Sequence, residues 1–220
     1  MKLSRRRICG MLGVVGSVVA VKPALAFKLS IPKLGGGGGD VDVGSLKKLL
    51  AAAAKADAQM NAYFLTAVGK KEEADKFTAA AQAMSEDTVD KEYDKLNDLK
   101  DEHPMKADDL ENFKPSKEAN EALTSGNAMG SVALINYILV LPQIKSGIDA
   151  IKSNPMNIGL LPTLAQAISA IPKGITTITK MVKTSRAIAK KNNIPVKSKD
   201  EVAKLSESVG GSGDTSGLPE

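Results

Sequence analysis

Residues 164–182, LAQAISAIPKGITTITKMV, carry the strongest structural signal in the sequence. The β-branched run at residues 175–179 also suits a strand, but large apolar residues recur at intervals of four and three, which is the period of one helical face. That spacing predicts a long helix with a heptad seam like that of a coiled coil. Pro172 lies inside the pattern and predicts a kink, because proline lacks a backbone donor. The six seam positions are Leu164, Ile168, Ile171, Ile175, Ile178 and Val182.

The rest of the chain repeats this helical period. Residues 46–67 predict a first helix, with Ser45 as N-cap and Gly69 at its end. Residues 71–84 and 85–102 predict two further helices, or one continuous helix. Ser116 is the expected N-cap of the longest helix, which runs toward residue 151 with a kink at Pro142. A capping box at residues 198–201 predicts a short helix that ends near residue 205.

These elements predict an all-α fold, an elongated bundle of four to five main helices over residues 45–205. Five glycines at positions 35–39 indicate a flexible linker over residues 27–44, and a Gly- and Ser-rich composition predicts a disordered tail over residues 206–220. The periodic positions give a predicted core: Leu49, Ala53, Met60, Phe77, Leu134, Ile138, Ile168, Ile171, Ile175 and Ile178.

Residues 1–26 have the pattern of a signal peptide. Three consecutive arginines from position 5 lie in a basic segment, an apolar segment follows over residues 8–21, and an Ala-Leu-Ala cleavage site ends at Ala26. The apolar segment is too short for a spanning helix. We therefore expect a periplasmic or secreted protein that begins near Phe27.

The export route stays open between two pathways. Residues 4–9, SRRRIC, resemble the twin-arginine export motif, although Cys9 and Gly10 depart from its usual ending. The resemblance implies export of a folded chain. An ordinary secretory signal with a basic start is the alternative.

Charge excludes one class of function. The chain has a formal net charge of +5, but the predicted leader carries five bases and no acid, so the remainder is neutral. Nucleic acid is therefore not an expected partner, because its recognition needs a basic surface. Cleavage would also remove Cys9, the single cysteine.

The neutral remainder still separates its charges along the chain. Residues 70–111 are acidic and residues 143–205 are basic, so antiparallel helices could pair these segments, or each could face a partner. An acidic row on one helical face is the candidate partner-binding surface, with a solvated face as the alternative reading. The row consists of Asp87, Asp90, Asp94, Asp98 and Asp101.

An apolar hairpin supplies the second candidate. Residues 132–141 and 158–171 are apolar and separated by a more polar turn, so they form either a bundle core or a lipid-binding or membrane-inserting unit. The latter would resemble helical pore-forming proteins in architecture only. Asn136 and Tyr137 lie inside the first apolar run and would contact an apolar ligand, unless Asn136 simply fixes the register of the core.

The sequence offers no constellation for catalysis. His103 is the single histidine, which excludes a Ser-His-Asp triad or a two-histidine metal site within one chain. We therefore expect neither an enzyme nor a cofactor. The sequence favours an exported helical binding or scaffold protein of the cell envelope that acts through protein contacts. A lipid-handling or membrane-active protein is the alternative.

Overall fold

The computed structural model describes residues 42–153 and 159–218, and within these ranges the fold is all-α, with no strand. The predicted leader and most of the predicted linker lie outside the described residues. The stretch of residues 164–182 is helical throughout and lies in α5. The helices are α1 (Val43–Ala67), α2 (Lys71–Ala83), α3 (Val89–Glu102), a 3-10 helix (Ala107–Asn112), α4 (Lys117–Ser153), α5 (Leu161–Lys191) and α6 (Lys199–Ser208).

Helix α1 lies in the middle of the bundle and is buried on almost every side. It packs most extensively on α4, and also on α2 and α3. The run of four alanines at residues 51–54 is fully buried, because small side chains allow neighbouring helices to approach from several directions at once. Tyr63 is the exception among its large apolar residues, since it is exposed.

The ends of α1 are set by local hydrogen bonds. Asp42, rather than the predicted Ser45, is the N-cap, since its carboxylate accepts from the backbone N–H groups of Gly44 and Ser45. Gly69 ends the helix as predicted, with φ of 84° in the left-handed region. The N–H of Lys70 donates to the Leu65 carbonyl at 2.8 Å, which completes a Schellman motif.

Helices α2 and α3 are separate rather than continuous. Met84 adopts extended backbone geometry and is buried, so the chain leaves the helix to place this side chain in the core. The Thr88 hydroxyl then donates to the Ala83 carbonyl at 2.7 Å and accepts from the Ser85 N–H at 3.0 Å. These two hydrogen bonds of Thr88 stabilise the break between α2 and α3.

The two longest helices pack together and both continue across an internal proline. Pro142 in α4 and Pro172 in α5 are exposed, so their rings point away from the core. Ser116 caps α4 as predicted, because its hydroxyl accepts from the Ala119 N–H at 3.1 Å. The segment 131–137 of α4 is buried on all sides.

Two glycines of α4 allow the close packing. A Cβ added at Gly126 would lie 2.6 Å from the Phe64 ring of α1, and one at Gly130 would lie 2.7 Å from Val182 of α5. The Gly-x-x-x-Gly spacing in α4 therefore relieves crowding inside a bundle.

The chain end differs from the predicted disordered tail. Helix α6 continues to Ser208, beyond the predicted end at residue 205, and residues 209–218 pack back on the bundle. The Ser212 N–H donates to Asn136 Oδ1 at 3.0 Å, and Leu218 is buried. The glycine content predicted disorder. Gly211 instead allows the chain end to lie close to Asn136, since a Cβ at this position would meet the Asn136 amide.

The predicted core is buried at six of its ten positions. Ala53, Met60, Phe77, Leu134, Ile171 and Ile178 are buried. The other four positions are half-buried, because each lies at the edge of its helical contact face: Leu49, Ile138, Ile168 and Ile175.

Candidate functional site

A charged and hydrogen-bonded cluster lies inside the bundle, and its centre is Asp57 of α1. This residue is buried. Its Oδ2 accepts from Lys100 Nζ of α3 at 2.7 Å and from the Tyr137 hydroxyl of α4 at 3.1 Å. Its Oδ1 accepts from Asn61 Nδ2 at 2.9 Å. A buried carboxylate needs such partners, because an unpaired buried charge is costly.

The cluster joins three helices and was not predicted. Asp57 lies between the buried residues Ala56 and Ala58, and its partner Asn61 follows one helical turn later. The other two partners, Lys100 and Tyr137, come from distant parts of the chain. A lone acidic residue among the buried alanines of α1 is the signal that could have located the cluster.

Two tyrosines beside Asp57 have raised pKa values. Burial raises the pKa of Tyr93, and the negative charge of Asp57 raises it further. Burial likewise raises the pKa of Tyr137 well above its ordinary value, with the Asp57 charge as the second cause. Both hydroxyls therefore act as neutral groups beside the carboxylate rather than as proton donors in chemistry.

A cleft of about 460 Å³ opens beside this cluster, between α1, α3 and α5. Asp57 and Asn61 lie at its α1 side, and the loop at residues 104–106 forms one edge. Apolar contacts come from methionines and isoleucine, whereas amide, hydroxyl and charged groups line the rest. Its polar and charged lining includes Asp57, Asn61, Asn97, Lys100, Asp101, Lys106, Gln166, Ser169, Lys173 and Thr177.

Two amide side chains in this cleft carry buried atoms that make no hydrogen bond. One is Oε1 of Gln166 on α5, which is an acceptor. The other is Nδ2 of Asn97 on α3, which is a donor. Asn97 neighbours the Tyr93 hydroxyl and slightly offsets the rise in the pKa of that group, but the two do not reach full hydrogen-bond geometry. Such atoms cost free energy unless a bound partner satisfies them.

The predicted acidic row lies on α3 and in the turn before it, but its members differ in environment. Asp87, Asp98 and Asp101 are exposed, whereas Asp90 and Asp94 are half-buried. Burial raises the pKa of Asp94, and the charge of Asp98 raises it further. Only Asp101 of this row also lines the cleft.

The two candidate ligand contacts are occupied by the protein itself. Asn136 Nδ2 donates to the Val132 carbonyl at 2.9 Å and to the Ser206 hydroxyl at 3.0 Å, and its Oδ1 accepts from Ser212. Tyr137 donates to Asp57. Asn136 thus links α6 and the chain end to α4.

The first arm of the apolar hairpin is covered. Residues 132–137, 139 and 140 are buried, and residues 138 and 141 are half-buried. Within the described chain, one helical segment, Lys117–Asp149, is long and apolar enough by length and composition to cross a membrane, and 72% of its most apolar window is buried. Because α4 continues across Pro142, it is longer than the apolar run of residues 132–141. The core helix of a bundle has these same properties.

His103 lies at the end of α3, where its Nε2 is 2.8 Å from Lys76 Nζ. It is half-buried. Among the described residues, no group of three or more His, Cys, Asp or Glu side chains could hold a metal ion.

The fold and site define a class: an all-α bundle with a buried ion-pair cluster beside a polar cleft. In comparisons with known proteins, no family model, curated protein or solved structure matches this chain.

Proposed function

We propose that this chain is an exported, non-enzymatic binding or scaffold protein of the cell envelope that acts through protein contacts. The proposal rests on the observation that neighbouring helices cover the apolar segment of α4. Because the apolar run of α4 is covered by α1, α5, α6 and the chain end, polar surface is what the fold presents to a partner. Among described large hydrophobic side chains, only Tyr63 and Val196 are exposed.

Two polar features support contact with another protein. The exposed carboxylates of Asp87, Asp98 and Asp101 form a negative surface, and the cleft between α1, α3 and α5 is large enough for several side chains or a small ligand. Charge of this kind steers association and selects partners more than it adds affinity.

The proposal is tested by covalent cross-linking in living cells followed by purification of this protein. We expect the double variant Asp87→Asn/Asp98→Asn to lose most of the partner captured by the wild type. The matched control is Asp200→Asn, which removes an equally exposed carboxylate from α6. Equal capture by wild type and the double variant would contradict a role for the acidic surface.

The export part of the proposal rests on residues 1–26. Replacing Arg5 and Arg6 by lysine keeps the positive charge and removes the arginine pair of the twin-arginine motif. We expect processed protein to disappear from the periplasm if that route is used. Continued export of processed protein would assign the chain to the general secretory route instead.

A membrane-active protein is the second candidate, and the length and hydropathy of α4 favour it. This function requires α4 to leave its partners, because a closed core offers no apolar contact to lipid. Flotation of the protein with lipid vesicles, abolished by Ile138→Asp in a variant that still folds, would place this function first.

A further inference from the structure

We infer that the cleft between α1, α3 and α5 binds an extended peptide segment that carries a carboxylate. The inference rests on the proposed protein-binding function and names the part of the partner that this cleft would accept. It does not depend on Asp87 or Asp98, the two carboxylates that the cross-linking experiment tests. Three features of the cleft support it: two unpaired amide groups, two lysines and its volume.

The unpaired amide groups match the chemistry of a peptide bond. Gln166 offers a buried acceptor from α5, and Asn97 offers a buried donor from α3. A peptide unit carries one N–H donor and one C=O acceptor. A backbone amide lying between the two helices would therefore satisfy both side chains, whereas an apolar ligand would satisfy neither.

The charged lining favours a carboxylate on that peptide. Lys100 is engaged by the buried Asp57 at 2.7 Å, so this pair is neutral as a unit. Lys106 and Lys173 remain, against the single carboxylate of Asp101. The available lining is therefore positive by one charge, which suits either a C-terminal carboxylate or an acidic side chain.

The size and composition of the cleft fit a short segment rather than a whole domain. A volume of about 460 Å³ lies within the range of small-ligand sites. Met60 and Met105 supply flexible apolar contacts in the lining, and such side chains adapt to different neighbours. We expect contacts with the backbone and the carboxylate to dominate, with weak selection among apolar side chains.

The test is nuclear magnetic resonance titration of the purified protein with three probes. Trialanine has a terminal carboxylate, acetyl-Ala-Asp-Ala amide has only a side-chain carboxylate, and acetate has a carboxylate without a peptide bond. We expect at least one peptide to shift the side-chain amide signals of Asn97 and Gln166, and acetate to leave them unchanged. The peptide that binds shows whether the carboxylate is terminal or belongs to a side chain.

Matched variants separate binding from folding. Gln166→Met should weaken peptide binding by about tenfold. It should also raise the melting temperature of the free protein, because it removes an unpaired buried oxygen. Gln59→Met is the control, since Gln59 also has a buried, unpaired Oε1 but faces the groove between α1 and α2. Lys173→Gln should weaken binding, whereas Lys180→Gln, on the same helix outside the cleft lining, should not.

Several outcomes would overturn the inference. They are no shift with either peptide, equal shifts with acetate, or unchanged affinity in Gln166→Met. If a cross-linked partner binds Gln166→Met as well as it binds the wild type, the protein-binding function stands and the peptide cleft is wrong. Loss of capture in the acidic-surface variant with normal peptide binding would separate the two sites.

Discussion

Asp57 and Lys100 show how a single buried pair is held in a bundle of apolar helices. The Asp57 side chain is 1% exposed and that of Lys100 is 28% exposed, so the carboxylate depends on the lysine more than the reverse. The Tyr137 hydroxyl and the Asn61 amide satisfy the remaining acceptor capacity. Removing the cation would leave a buried charge with neutral partners only.

We predict that Lys100→Met lowers the free energy of unfolding by about 3 kcal/mol, because it strands the Asp57 carboxylate. The double variant Asp57→Leu/Lys100→Met should be more stable than Lys100→Met alone, since apolar replacements of a buried pair are often tolerated. Urea unfolding of the two single variants and the double variant measures the coupling. Additive effects of the two substitutions would contradict a direct interaction.

The two buried tyrosines give the protein a sensitivity to alkaline pH. Both have folded-state pKa values raised by burial and by Asp57, so the unfolded chain loses these protons at lower pH than the native chain does. Stability is thus fully present below the ordinary tyrosine pKa of about 10 and falls as pH rises above it. The expected slope is about 1.4 kcal/mol per pH unit for each tyrosine.

Urea unfolding over a series of alkaline pH values measures this slope. Tyr137→Phe should remove one tyrosine's share of it, at the cost of the hydrogen bond to Asp57. Tyr63→Phe, at the exposed position on α1, is the matched control. A slope that Tyr137→Phe leaves unchanged would show that other groups cause the alkaline loss.

The cluster around Asp57 could not be predicted from the sequence, for a physical reason. Lys100 and Tyr137 are 43 and 80 residues from Asp57 along the chain, and helical periodicity carries no information about such pairs. The acidic row was visible because its members lie on α3 or in the turn immediately before it. The cluster requires knowledge of which helices pack together.

At the scale of the element, local sequence patterns predicted most of the helices. The capping box at Ser198 and Glu201 and the glycine after α1 are short-range signals, and both have the expected geometry. The N-cap of α1 was predicted at Ser45, whereas Asp42 caps the helix. The boundary between α2 and α3 was predicted at residues 84–85, with one continuous helix as the alternative. The structure has two separate helices, and the extended, buried Met84 follows the first of them.

The chain end is the other element-scale error. Its glycine and serine content is typical of disorder, yet Asn136 inside the apolar run of α4 requires polar partners. Ser206 and Ser212 supply them. Periodicity identified Asn136 as unusual but could not indicate that the C-terminal residues satisfy it.

We predict that Gly126→Ala and Gly130→Ala each destabilise the protein by about 1–3 kcal/mol, although alanine favours helices. The added Cβ atoms would meet Phe64 and Val182 at distances that require the helices to separate. Gly174→Ala in α5 is the matched control, because nothing lies within 4 Å of its added Cβ. It should stabilise the protein by up to about 1 kcal/mol.

Thermal unfolding of these three variants checks the prediction. Stabilisation by alanine at all three positions would mean that α4 does not pack against α1 and α5 as closely as described. Destabilisation confined to positions 126 and 130 would support glycine as the determinant of helix contact.

At the scale of the described molecule, closure of the apolar core separates the two proposed functions. A binding protein keeps residues 132–141 covered whether or not lipid is present. A membrane-active protein must expose them, at the cost of the contacts that α4 makes with α1, α5 and α6. Sequence hydropathy alone could not separate these cases, since a central bundle helix and a lipid-facing helix are equally apolar.

The decisive measurement is hydrogen–deuterium exchange of the purified protein, with and without anionic lipid vesicles. We predict that the backbone amides of residues 132–141 stay among the most protected in the chain under both conditions, because they lie in a buried helix. The cleft between α1, α3 and α5 would then be the place to search for ligands. Loss of protection at residues 132–141 when vesicles are added would contradict the closed-core account and favour membrane insertion.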